Sequence, residues 1–157
     1  MFLRKIILFI FIIIMIFITG CGQKQANMNE PAADGQFHYE NRDLGFGLVL
    51  PEDFIYYQTQ RTSNSGYTDL EFFVPTRDTD YEQSVPGYAK PIVVRIFDNE
   101  SEWKKQENQT TDTNFKRVGE KNGKVYTLIF WETIPADWRQ TWDENYKQEL
   151  INNFKTP

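Results

Sequence analysis

Cys21 is the residue best equipped for covalent chemistry, and it is the only cysteine among 157 residues. A thiolate is a strong nucleophile, and a lone one leaves no intramolecular disulfide framework, four-cysteine zinc site or CxxC redox pair to build. His38 is the only histidine. A nucleophilic triad would have to use it as base, yet Phe37 and Tyr39 on either side give it the setting of an ordinary strand position. Asp78-x-Asp80-x-Glu82 places oxygen donors at alternate positions, a pattern that suits Ca²⁺. An EF-hand loop counted from Asp78 needs Gly at its sixth position and Glu at its twelfth, and Gln83 and Ala89 stand there. The run therefore reads as a solvated acidic loop, and no metal or other cofactor is expected. Trp131 and Trp138 bracket the turn Thr133-Ile134-Pro135-Ala136. Indole rings stack on sugars and anchor partners, so these two are the binding candidates, Trp138 first. No GxSxG, HExxH, Walker loop or GxGxxG occurs, and no residue is assigned a catalytic role.

What precedes Cys21 gives its chemistry a direction. Arg4 and Lys5 are followed by an unbroken apolar run, Ile6 to Ile18, of 13 residues. A membrane-spanning helix takes about 20, whereas a charged start and an apolar stretch of this length form a secretory signal. Ile18-Thr19-Gly20-Cys21 closes the run and resembles the bacterial lipobox, with Ile18 where Leu is commonest and Thr19 where Ala or Ser is commonest. The resemblance implies a bacterial lipoprotein. A diacylglyceryl group, with chains such as palmitate, would join the Cys21 thiol, and cleavage between Gly20 and Cys21 would make Cys21 the N-terminus. Residues 1–20 are then the signal peptide. Loss of Arg4 and Lys5 would leave 15 basic and 22 acidic residues, a formal charge of −7 against −5 for the whole chain. An acidic surface gains nothing from anionic headgroups, so the lipid must do the anchoring. The same acidity argues against nucleic acid as a partner.

Residues 21–36 are expected to be the lipidated cysteine and a flexible tether. The stretch 22–35 (GQKQANMNEPAADG) has no aromatic residue and no periodicity, and a flexible coil of this length spans about 20 Å. From Phe37 to Pro157 one α+β domain is expected. Its strands are read at Phe37–Tyr39, Phe46–Leu50, Phe54–Gln60, Tyr67–Val74, Pro91–Phe97, Phe115–Val118 and Val125–Glu132, with Pro91–Phe97 central. A polar turn is expected at 62–66, an Asn122-Gly123 hairpin turn between the last two strands, and adjacent Tyr56 and Tyr57 on opposite faces of a strand. Asn99 and Glu102 have capping-box spacing for a short middle helix ending near Asn108, and Thr141 and Glu144 for a C-terminal one. Trp142, Tyr146, Leu150 and Phe154 recur every four residues, with Lys147 on the opposite face. Hairpins instead of crossovers give a mainly antiparallel sheet with the short middle helix and the C-terminal helix packed on it.

The stretch 39–54 (YENRDLGFGLVLPEDF) resembles the opening of PsbP-like domains: a Tyr-rich strand, a turn, Gly-Phe, an alternating strand and Pro before an aromatic. The usual Trp after that Pro is here Phe54, and Leu150–Lys155 resembles the family's closing helix. The resemblance implies an antiparallel sheet with helices on its faces, in a family that includes extrinsic photosystem subunits and many bacterial lipoproteins.

Together these features lead to a lipid-anchored, extracytoplasmic binding or assembly module of the cell envelope. Its partners would be the membrane and an envelope protein complex. The alternatives are a small-ligand-binding lipoprotein and, behind it, an anchored envelope hydrolase. The location would be the cell membrane or an outer membrane; Gly22, instead of Asp, lacks a typical inner-membrane retention signal.

Overall fold

The computed structural model describes residues 30–108 and 114–157. Gly20 and Cys21, with the rest of the signal and residues 22–29, lie outside the described residues. The architecture is α+β, and its strand pairings are antiparallel, as the hairpin pattern led one to expect. Strands β1 (Phe37–Asn41) and β2 (Phe46–Leu50) join the short β8 (Phe154–Lys155) in one sheet of order β1-β2-β8. The second sheet holds β3 (Gln58–Asn64), β4 (Tyr67–Pro75), β5 (Tyr88–Phe97), β6 (Phe115–Lys121) and β7 (Lys124–Phe130) in the order β3-β4-β5-β7-β6. The apolar β5 is central, as expected. The strands thus divide into two packed sheets. The core between them contains Phe46 and Leu48 from the smaller sheet and Phe72, Ile92, Val94 and Leu128 from the larger.

The middle helix, α1 (Glu100–Glu107), starts where the sequence places it. The Asn99 side chain accepts from the Glu102 N–H at 3.1 Å. Glu102 does not complete the capping box; its carboxylate pairs with Lys105 at 2.7 Å. It also lies beside Gly66, whose φ of +88° is the reason that the tight β3–β4 turn needs glycine. Trp103 fixes α1 on Phe97 and Val125. Asn122 and Gly123 have φ of 53° and 78°, the positive pair that a two-residue hairpin loop requires.

Three local expectations are corrected. Residues 54–57 are not strand. Glu52–Phe54 is a 3₁₀ turn after Pro51, Tyr57 N–H donates to the Phe54 carbonyl at 2.9 Å, and β3 begins only at Gln58. Burial of Phe54 and Tyr57, three residues apart, drives this bend. The polar turn at 62–66 shrinks to Ser65-Gly66, because β3 pairs with β4 as far as Asn64↔Tyr67. The C-terminal helix, α2 (Glu144–Asn152), is capped by Asp143, whose carboxylate accepts from Tyr146 N–H at 2.8 Å, and not by Thr141. Trp142 therefore precedes the helix and Phe154 follows it in β8, though both are buried with Leu150.

Candidate functional site

The antiparallel registers divide the molecule into two ends. Phe37 pairs with Leu50, Gln58 with Phe73, Pro75 with Tyr88 and Ile92 with Phe130. The loops 51–57, 76–87 and 131–143 therefore leave the strands at the end where the chain enters β1. Phe37 and Tyr57, with ring centroids 5.9 Å apart, join the two sheets there. At the far end lie the turns 42–45, 65–66 and 122–123, the start of α1 and the C-terminus. There the Tyr126 hydroxyl donates to the Leu44 carbonyl at 3.0 Å.

Two aspartates fasten the entry-end loops to each other. Asp137 accepts from the Thr76 hydroxyl and the Arg77 N–H, both at 2.8 Å. Asp78 accepts from Ala136 N–H at 2.7 Å and from Asp80 N–H at 3.0 Å. The donor from Ala136 is the main reason that the Asp78 carboxyl titrates below its ordinary 3.8. Both oxygens of Asp78 are thus held by backbone amides. Asp80 and Glu82 are exposed, and the described residues bring no group of three His, Cys, Asp or Glu together as a metal site.

A sign follows for pH. Asp78 has a depressed folded pKa, so its contribution is present above the unfolded value and is lost as pH falls through the folded one. Wild type and Asp78→Asn are expected to differ in denaturation midpoint at neutral pH and to converge in acid. A difference that persists unchanged below the carboxylate range contradicts the clasp.

Trp131 and Trp138 are both core residues, each 7% exposed, which corrects the expectation that Trp138 presents its ring to a partner. Its Nε1–H donates to the Pro75 carbonyl at 3.2 Å, and its ring meets Phe54 and Trp131 edge-on at 6.0 and 5.7 Å. Trp131 in turn packs on Trp142 at 4.8 Å. The indole N–H groups of Trp131 and Trp142 are buried with no partner among the described residues. Edge-to-face packing sets the positive edge of one ring against the negative face of another. His38 is exposed and bonds Asp34 at 2.7 Å.

Sequence reasoning missed the surface pair beside this aromatic cluster. Ile55 and Tyr56 are 39% and 53% exposed, the only large hydrophobic side chains so exposed among the described residues. Tyr56 has a φ of 63°, a left-handed conformation that costs a bulky residue about 1–2 kcal/mol. Buried Phe54 and Tyr57 enforce it from either side, and burial pushes the Tyr57 hydroxyl up to about 12. The sequence signal was the Tyr56-Tyr57 doublet, which required one ring to face outward but did not say that a turn would present it with Ile55.

A recess of about 350 Å³ lies at the far end between the β1–β2 and β6–β7 turns. Its rim mixes Arg42, Lys121 and Lys124 with Glu40 and Asp43. Among the described residues no helix is long and apolar enough to cross a membrane. No protein family, curated protein or solved structure matches the chain.

Proposed function

We propose that the protein is a lipid-anchored binding or assembly module on the extracytoplasmic face of a bacterial membrane. The observation that carries this reading is Ile18-Thr19-Gly20-Cys21 at the close of a 13-residue apolar run behind Arg4-Lys5. The apolar run is too short to span a bilayer of about 30 Å as a helix, and a lone cysteine at its end suits acylation. The PsbP-like segment at 39–54 agrees with a membrane-associated accessory domain. The packed α+β domain is the part available to a partner, and its entry end, nearest the anchor in sequence, carries the exposed Ile55–Tyr56 pair.

Fractionation combined with gentle crosslinking tests the reading. The protein is expected to sediment with membranes, to resist high salt and alkaline carbonate, and to need detergent for release. Crosslinking at the membrane is expected to recover it with an envelope component. Release by salt alone contradicts the lipid anchor, and the absence of any crosslinked envelope component across growth conditions contradicts the assembly role.

A further inference from the structure

We propose that Ile55 and Tyr56 form a membrane-contacting tip, seated in the interfacial region of the same bilayer that holds the Cys21 lipid. This inference rests on the lipid-anchor reading. The pair is exposed, adjacent and apolar, and its turn is held rigid between buried Phe54 and Tyr57. Its position follows from register. Phe37↔Leu50 puts the chain entry and the 51–57 turn at one end of the smaller sheet. Nine peptide units separate Cys21 from Glu30, and even fully extended they reach only about 30 Å. The ten-residue β5 is itself about 33 Å long, so a tether of this reach that leads into β1 favours contact of the entry end, and not of the 122–123 turn, with the bilayer.

Tyrosine suits the headgroup boundary because its ring is apolar and its hydroxyl stays wet. A tethered tip needs little intrinsic affinity, since the anchor supplies a high effective concentration. Charge defines the lipid. Glu52 and Asp53 are exposed beside the tip, and acidic groups are repelled by anionic headgroups. The occupant is therefore a zwitterionic surface, and added anionic lipid weakens the contact.

The test uses the full acylated protein, purified from membranes and reconstituted in phosphatidylcholine vesicles that carry nitroxide-labelled lipid. Acylation blocks the Cys21 thiol, so a fluorescent thiol probe reports only Glu52→Cys at the tip or Asn122→Cys at the far turn. The probe at 52 is expected to be quenched severalfold more than the probe at 122. Adding Ile55→Ser and Tyr56→Ser is expected to remove most of that quenching while the protein stays on the vesicles, and phosphatidylglycerol is expected to reduce it. Equal quenching at 52 and 122, or quenching at 52 that survives the double substitution, overturns the tip alone; a probe shielded from water yet unquenched by lipid does the same and indicates a protein occupant. Failure to float with the vesicles, with the probe attached at Cys21, overturns the anchor and the tip together.

Discussion

Leu150→Ala is expected to destabilise the protein by about 2–5 kcal/mol, a large part of the 5–15 kcal/mol typical of a domain. Leu150 is fully buried at 0% exposure and lies in the main core cluster with Phe46, Leu48 and Phe154. It is the one buried side chain of α2, a nine-residue helix too short to persist alone in water. Truncation opens a cavity at the contact that holds the helix. β8 follows α2 directly and pairs with β2 at Leu48↔Phe154, so loosening the helix also weakens the edge of the smaller sheet. Gln148 is exposed and among the described residues its side chain bonds only Asn152, so Gln148→Ala is the neutral comparison, within about 0.5 kcal/mol. Lys147 is a poor one. Expected on the opposite face, it is instead partly buried, with its ammonium 2.8 Å from Glu144 and 3.4 Å from Asn114. Urea denaturation of the two variants checks this, and equal midpoints contradict the packing described.

Cys21→Ser is expected to abolish incorporation of labelled palmitate and to leave a precursor uncut after Gly20. The effect should be near all-or-none because serine has no thiol to form the thioether and the chain has no other cysteine. Each buried CH₂ contributes about 0.8 kcal/mol, so two acyl chains hold far more firmly than one. Without residues 1–20 the chain would carry a formal charge of −7, so attraction to anionic headgroups would not replace the lipid. Equal labelling of wild type and variant contradicts the lipobox reading.

The fold was legible where one local signal agreed with the tertiary outcome. Asn122-Gly123 supplied the two positive φ values that its hairpin needs, Asn99 had the side chain to cap α1, and the apolar run around Ile92 marked the central strand. It was illegible where burial overrode local preference. Phe54, Ile55 and the two tyrosines have strand propensity, but Phe54 and Tyr57 are drawn into the same core three residues apart, and only a 3₁₀ turn with a left-handed Tyr56 permits that. The periodic stripe from Trp142 to Phe154 identified buried residues correctly and misassigned their elements. The capping-box rule favoured Thr141 because Glu144 follows at the right spacing, whereas Asp143 caps without such a partner. Trp138 flanks the turn Thr133-Ile134-Pro135-Ala136 and lies off the periodic stripe of the C-terminal segment, so no local pattern assigned its ring to the core. Its acceptor, the Pro75 carbonyl, lies 63 positions away, beyond the reach of any local pattern.

The mass of the first peptide tests the central claim most directly. Trypsin should release Cys21 to Lys24 from protein recovered in the membrane fraction. The account predicts that this peptide starts at Cys21 and carries a diacylglyceryl group on sulfur. A peptide that retains the Gly20–Cys21 bond with a free thiol would contradict it.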